Sequence, residues 1–276
     1  VGQPEDWAHL LSPGAYRAIL DRVEVNFALQ NPTYVQPGEP VELKVDVKRV
    51  DNLLIKIFEI QTFNYYTTHL QPVDQAVDLD GLTATHERKL DTDADPSRRV
   101  RHTLALPEID ERGVYVVELI GNGISSRSLL HVGRLETVTM PTPVGQAVLV
   151  LNDAGETVKD AAIWLNGSEF TANEDGLVIL PFSENPGVRK IVLRDGDFCS
   201  LEQMQHLGED YSFAAGFHLD PQNLPRRQTA SLMLRPDFRI HGIPLTPSQL
   251  GDVTVTLTAV DARGERTERE YTAEFE

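Results

Sequence analysis

Apolar and polar residues alternate with a period of two along much of the chain. Between Val41 and Val47, every second residue is Val or Leu, and the residues between them are charged. Such alternation is typical of a β-strand with one buried face and one face in water. Further strands are predicted at residues 23–27, 53–60, 100–106, 161–165, 177–180, 190–194, 230–234, 253–260 and 267–275. The pattern therefore predicts an all-β protein.

The segment Arg112–His131 predicts two antiparallel strands joined by a short turn. Its turn residues Gly121, Asn122 and Gly123 accept a positive φ, as tight hairpins require. In the first strand, the even-numbered residues from Val114 share one face and the odd-numbered residues share the other, and both faces are mainly apolar. We therefore expect a central hairpin that is buried on both sides.

The residues before the first strand predict a short helix over about residues 12–22. Ser12 is a candidate N-cap, and Pro13 suits the first helical position. Apolar residues follow at helical spacing, and we expect the helix to pack on the first domain.

The strands group into tandem immunoglobulin-like or macroglobulin-like β-sandwiches. Residues 1–21 are predicted to be a helical extension and residues 22–135 the first sandwich. The Pro- and Thr-containing residues 133–143 are interpreted as an extended linker. Residues 136–215 are predicted to form a second sandwich. Residues 216–276 contain only about four identifiable strands, which favours a partial third β-rich unit, with an extension of the second sheet as the alternative.

Composition limits the function classes. The chain has 276 residues, with 42 acidic and 25 basic side chains and a net charge of −17. This charge argues against nucleic-acid binding, and no apolar run is long enough for a transmembrane segment. The chain begins at Val1 without a signal-peptide pattern, so we interpret it as an excised fragment or a mature product.

The sequence contains no motif for common enzymatic chemistry. We find no G-x-S-x-G, H-E-x-x-H or C-x-x-C motif and no phosphate-binding Gly-rich loop. The eight histidines are scattered, and none lies at metal-ligand spacing from another. Cys199, the single cysteine, is interpreted as a buried and inert thiol. We therefore predict no catalytic residue, no cofactor and no enzyme activity.

Calcium is the one metal for which the sequence offers a candidate site. Asp91, Asp93 and Asp95 alternate as oxygen ligands do in a cation-binding loop. Pro96 and His102 stand where an EF-hand loop needs Gly and Glu, so that motif is excluded. A solvated acidic turn is the alternative that we favour.

Phe63, Tyr65 and Tyr66 form the densest aromatic group in the chain. Exposed aromatic side chains would provide a binding surface for a carbohydrate or a peptide. Core packing on a strand is the alternative that we favour, since aromatic residues are ordinary strand residues.

Three segments carry a resemblance to a known family. They are PGEPVELKV at residues 37–45, VDLDGL at Val77–Leu82, and LPEIDERGVYVVELIGNGISSRSLL at residues 106–130. They resemble the first macroglobulin-like domain of bacterial alpha-2-macroglobulin-type proteins. Residues 144–182 are similar to the next domain of such proteins, and also to carboxypeptidase-regulatory-like and transthyretin-like sandwiches.

The resemblance implies a scaffold segment without the thioester region of that family. The Cys-Gly-Glu-Gln run of thioester-bearing members is absent, and Cys199 stands in Phe-Cys-Ser-Leu. The resemblance therefore does not imply protease trapping by this segment.

The sequence thus predicts a non-catalytic structural or interaction module of a larger cell-envelope or secreted protein. Its expected partners are other domains of the same protein, with a protein ligand or a protease as further candidates. We expect an extracellular, periplasmic or cell-surface location. The alternative is a carbohydrate- or peptide-binding accessory domain of a secreted enzyme.

Overall fold

The computed structural model describes residues 9–92, 98–220 and 229–273, and strands dominate throughout. Helix α1 (Pro13–Asp21) precedes the strands, and α2 (Thr62–His69) is inserted among them. The first sandwich (residues 24–132) contains β1 (Glu24–Phe27), β2 (Tyr34–Val35), β3 (Glu42–Lys48), β4 (Asn52–Glu59), β5 (His86–Asp91), β6 (Val100–Ala105), β7 (Gly113–Gly121) and β8 (Ile124–Val132). The predicted all-β class is confirmed.

The first sandwich consists of a three-stranded sheet, β1-β3-β6, and a five-stranded sheet, β2-β8-β7-β4-β5. The predicted hairpin is its central strand pair, β7 and β8, with Gly121 opposite Ile124. Asn122 and Gly123 form the turn with φ values of 46° and 78°. Mirror-image turn geometry of this kind matches the twist of the two strands.

Strand β7 is buried on both faces, as the apolar pattern predicted. Its odd-numbered residues Tyr115, Val117 and Leu119 join the main core of the first sandwich. Val114 and Val116 belong to a separate apolar cluster on the opposite face. The strand therefore contributes side chains to two separate hydrophobic cores, one on each face.

Helix α1 confirms the predicted N-terminal helix. The Ser12 side chain accepts a hydrogen bond from the Ala15 backbone N–H. The Lys48 ammonium donates to the Ile19 carbonyl over 2.6 Å, and Arg49 donates to the Leu20 carbonyl over 3.0 Å. Cations at the carbonyl end of a helix satisfy orphan acceptors and complement its dipole.

The next strands form two further sheets. They are β9 (Glu136–Thr142), β10 (Gly145–Leu151), β11 (Ala162–Leu165), β12 (Ser168–Thr171), β13 (Leu177–Leu180), β14 (Gly187–Asp195) and β15 (Phe198–His206). Their orders are β13-β10-β9 and β12-β11-β14-β15. The predicted linker at residues 133–143 is wrong in one respect, because most of it is strand β9. Pro141 is tolerated there because β9 is an edge strand.

The last strands form a three-stranded sheet, β16-β17-β18, and a hairpin, β19-β20. They are β16 (Tyr211–His218), β17 (Met233–Ile240), β18 (Ile243–Pro244), β19 (Val253–Val260) and β20 (Arg266–Ala273). The strand predicted at residues 230–234 starts three residues later and is longer. Its interior Pro236 made the rest of β17 difficult to predict from the sequence.

By internal contacts the chain divides into two compact units. Unit 1 comprises residues 1–138, 148–178 and 188–204, and unit 2 comprises residues 139–147, 179–187 and 205–276. The domain boundaries expected from the sequence stay a prediction. Across the residues that the structure describes, neither helix has the length and apolarity needed to cross a membrane.

Candidate functional site

Helix α2 carries the aromatic residues that the sequence singled out. It ends at Leu70, which adopts a left-handed conformation and donates its N–H to the Tyr66 carbonyl over 2.9 Å. The Thr67 hydroxyl donates to the Phe63 carbonyl over 2.8 Å. Phe63, Tyr65 and Tyr66 therefore lie on a helix and not on a strand, which corrects the strand interpretation of this segment.

The three aromatic side chains differ in burial. Tyr66 is 3% exposed, and burial raises the pKa of its hydroxyl to about 12. Phe63 and Tyr65 are half-buried. Tyr65 contacts the Tyr66 ring edge-on at a centroid distance of 6.0 Å and the His69 ring at 4.6 Å. A ligand could reach only Phe63 and Tyr65, and binding by this group stays a prediction.

Tyr66 belongs to a hydrophobic cluster that we call the seam core. The cluster contains Phe58, Ile60, Tyr66, Val73, Leu79, Val114, Val116, Val192 and Cys199. Most of these residues come from the first sandwich, whereas Val192 lies on β14 and Cys199 on β15. All of them lie in unit 1. The first sandwich and the β14–β15 pair thus share one core, with α2 at its edge.

Charged side chains reinforce the seam core at its rim. Arg112, next to β7, forms an ion pair with Asp195 at 2.7 Å and lies 4.4 Å from the centre of the Phe198 ring. Arg194 lies 5.2 Å from the centre of the Phe63 ring. Cation–aromatic contacts of this kind stabilise a partly desolvated interface. Both arginines therefore connect the two sides of the seam.

Two further hydrogen bonds fix the ends of the seam. The Lys190 ammonium donates to the Leu70 carbonyl at the end of α2 over 2.6 Å. The Leu135 backbone N–H donates to the Ser200 hydroxyl over 3.0 Å. Both bonds connect residues near the first sandwich with β14 or β15, so they restrict sliding along the seam.

Asp153 secures the connection that leaves the first sandwich. Its carboxylate accepts hydrogen bonds from the Tyr34 hydroxyl and from the Arg134 backbone N–H, the latter over 2.9 Å. Burial and the Asp153 carboxylate raise the pKa of Tyr34 to about 12. This hydroxyl therefore stays protonated and remains a donor across the neutral pH range.

A surface cavity of about 520 Å³ opens at the rim of the seam. Arg112 and Arg194 line it together with Phe63 and Phe198, and the lining carboxylates include Asp197. The charges are nearly balanced, so the cavity is not a strong anion site. Arginine and aromatic side chains are enriched where proteins contact one another. The composition therefore suits a polypeptide ligand better than a small charged substrate.

The other residues that the sequence singled out are Cys199 and the three candidate calcium-binding aspartates. Cys199 is 1% exposed, and burial raises its thiol pKa to about 11, so the thiol stays protonated at neutral pH. Asp91 ends β5 opposite Asn52, whereas Asp93 and Asp95 lie outside the described residues. The calcium site stays a prediction. Within the described ranges, no group of three or more potential ligands lies close enough to hold a metal ion.

Sequence reasoning did not identify Arg112, Arg194 or Asp153 as partners in one interface. The spacing of Arg112 and Asp195 in the chain gives no sign that they meet, because the pairing depends on how two sheets pack.

The chain is similar in sequence to one family model and to one curated protein. Residues 53–133 match the model described as the first immunoglobulin-like domain of AbpF. Actin-binding protein F of Dictyostelium discoideum is 30% identical over 266 residues, which is 94% of this chain and 11% of that protein. The chain thus spans only a small part of that relative.

Solved structures with a similar fold include alpha-2-macroglobulin fragments. The Escherichia coli protein spanning domains MG0-NIE-MG1 gives a TM-score of 0.43 at 16% identity, covering 67% of this chain and 64% of that chain. The fragment spanning domains NIE-MG1 gives 0.42 at 16% identity, covering 66% and 97%. The family-model match at residues 53–133 supports the immunoglobulin-like sandwich, whereas membership of the bacterial alpha-2-macroglobulin-like proteins remains a proposal.

Proposed function

We propose that this chain is a non-catalytic interaction module of a larger multidomain protein. The seam core is the observation that carries the proposal. It joins the first sandwich to β14 and β15 through apolar side chains, and its thiol, Cys199, is buried with a pKa raised to about 11. Among the described residues, no group of three or more potential metal ligands lies close together. Immunoglobulin-like folds typically serve binding and structural roles, although fold alone does not determine function.

A shared core makes the first sandwich and the β14–β15 pair suitable as a rigid binding platform. Interfaces that are large and apolar suppress the relative motion that is otherwise expected between domains. The cavity at the rim then offers arginine and aromatic side chains in a fixed arrangement. Pre-organised side chains lose less entropy when a partner binds.

Filamentous actin is the first partner to test, because the relative's name describes actin binding. The chain matches 11% of that protein, so the name alone does not say which part contacts actin. We propose that the matched part contributes to it. In a co-sedimentation assay, the 276-residue chain should pellet with filamentous actin and stay in the supernatant without it.

A matched pair of variants separates the cavity from the rest of the surface. Phe63→Ala removes a half-exposed aromatic of the rim, and Val138→Ala removes an exposed side chain elsewhere in unit 1. Only Phe63→Ala should weaken pelleting if the cavity is the contact. If the wild-type chain does not pellet with filamentous actin, actin binding is not a property of this module. Only the structural role of the module would then remain as the proposed function.

The accessory carbohydrate- or peptide-binding function rests on the same half-buried side chains. Binding arrays should compare the wild type with Phe63→Ala and Tyr65→Ala. Tyr66→Ala is unsuitable for this test because Tyr66 is part of the seam core. An array that stays blank for the wild type would remove this alternative.

The extracellular, periplasmic or cell-surface location stays part of the proposal. The similarity to an actin-binding protein favours an intracellular parent instead, so the two expectations compete. Localising the tagged full-length protein in its native cell would decide between them.

A further inference from the structure

Two acidic side chains line the cavity at the rim of the seam. Glu59 is the last residue of β4, and Asp197 directly precedes β15. Both side chains are exposed. Neither forms an ion pair with a basic side chain within the ranges that the structure describes. Each therefore carries a negative charge that no described basic side chain neutralises by direct contact.

The two arginines of the cavity are already paired with carboxylates outside its lining. Arg112 forms its ion pair with Asp195 over 2.7 Å. Arg194 forms an ion pair with Glu169 over 3.0 Å and also donates from Nε to the Gly196 carbonyl over 2.8 Å. The formal charges of the lining residues balance, but only the positive ones have partners in contact. The cavity therefore offers uncompensated negative charge to a ligand.

Aromatic rings give the cavity an apolar surface beside these carboxylates. Phe63 is half-buried, and Phe198 is 8% exposed. A lysine or arginine side chain packs its aliphatic stem on apolar surface and keeps its charged end among polar groups. The cavity volume of about 520 Å³ lies within the range of about 300–1,000 Å³ that is usual for ligand pockets. The lining thus matches both parts of a long basic side chain.

We propose that the cavity binds a lysine or arginine side chain of a polypeptide partner, with Glu59 and Asp197 as the carboxylates that accept its charge. This partner chemistry rests on the interaction module proposed above. The whole chain favours the same kind of partner, because its net charge of −17 attracts basic surfaces beyond the range of direct contact. An acidic side chain would meet two uncompensated carboxylates and would be repelled.

A titration of the isotope-labelled 276-residue chain with two short peptides, followed by amide chemical shifts, tests this partner chemistry. The peptides are acetyl-Ala-Lys-Ala-amide and acetyl-Ala-Glu-Ala-amide, which differ only in the charged residue. The Lys peptide should shift the amide signals of Asn64 and Gly113, which line the cavity, with a millimolar dissociation constant. The Glu peptide should leave these signals unchanged. Equal shifts with both peptides, or none with either, would overturn the proposal.

Uncharged variants of nearly the same shape locate the contact. Glu59→Gln and Asp197→Asn should each raise the dissociation constant of the Lys peptide about threefold, and the double variant about tenfold, because solvent-exposed ion pairs are weak. Glu174→Gln removes a carboxylate at an exposed position of unit 1 outside the cavity. This control should leave the dissociation constant unchanged, and circular dichroism should confirm that every variant is folded. A double variant that binds the Lys peptide as tightly as Glu174→Gln does would overturn the assignment of the two carboxylates.

Actin co-sedimentation of the same proteins separates a failure of this site from a failure of the proposed function. A wild-type chain that pellets with filamentous actin but shows no shift with the Lys peptide would overturn the basic-side-chain site and leave the interaction module in place. Shifts that the double variant abolishes, in a chain that does not pellet, would support the site and remove only actin as its partner.

Discussion

At the scale of single residues, Tyr66 shows how one aromatic side chain can serve packing while its neighbours remain accessible. It lies in the seam core at 3% exposure, whereas Tyr65 beside it is half-buried. We predict that Tyr66→Ala lowers the free energy of unfolding by about 3–5 kcal/mol, because it leaves a large cavity. Urea denaturation measures this loss. Tyr65→Ala is the control and should cost less than half as much.

The second prediction at this scale concerns His131 and pH. Burial lowers the pKa of His131 in the folded protein below the ordinary value of 6.5. The unfolded chain then binds the proton more readily than the folded chain. The contribution of His131 to stability is therefore complete above the unfolded pKa and is lost as the pH falls through and below it.

Glu202 lines the same small cavity as His131 and acts with the opposite sign. Burial raises its pKa above 4.5, so its protonated form favours folding, and that contribution is lost as the pH rises through the folded pKa. The melting temperature of the wild type should fall more between about pH 7 and about pH 5.5 than that of His131→Gln. Equal decreases in the two proteins would contradict this assignment.

At the scale of elements, β7 is the strand on which both cores of unit 1 depend. Val116 is 0% exposed and faces the seam core. We predict that Val116→Asp unfolds the first sandwich, because it buries an unpaired carboxylate. Thermal melting followed by circular dichroism should show the loss of the folded transition. Ser125→Asp, at an exposed position on β8, should melt like the wild type.

The elements also show what the sequence could predict. The hairpin of β7 and β8 was predictable because alternation and an Asn-Gly turn are local signals. Helix α2 was not, because Thr62–His69 is rich in residues of low helix propensity and forms a helix only in its tertiary context. Strand β9 was missed because Pro141 suggested a linker, while the edge position that tolerates a proline depends on the sheet.

The candidate site was less predictable than the fold. Aromatic density pointed to α2, but the sequence did not separate the buried Tyr66 from the accessible Phe63. The ion pair of Arg112 with Asp195 spans distant parts of the chain. Such contacts depend on how one sheet packs on another. The alternation of apolar and polar residues along a strand does not indicate which residues of two packed sheets meet.

At the scale of the whole molecule, the seam core predicts joint unfolding within unit 1. Val192 lies on β14, is 0% exposed and packs in the cluster that contains Val114 and Val116 of β7. Val192→Ala should lower stability by about 2 kcal/mol. Native-state hydrogen exchange should show the loss at β7 amides as well as at β14 amides.

Thr256→Ala, at an exposed position of β19, is the control and should change exchange in neither strand. If Val192→Ala affected β14 alone, the first sandwich and the β14–β15 pair would be separate folding units. The rigid platform proposed above would then lose its basis.

The connection from β8 to β9 has a mechanical consequence. Only residues 133–135 separate the two strands, and Asp153 and Ser200 hold the backbone N–H groups of Arg134 and Leu135. A connection of three residues with two anchored backbone N–H groups cannot extend when the chain is pulled. Tension applied to the first sandwich would pass directly into the following strand, and the connection would transmit load instead of absorbing it.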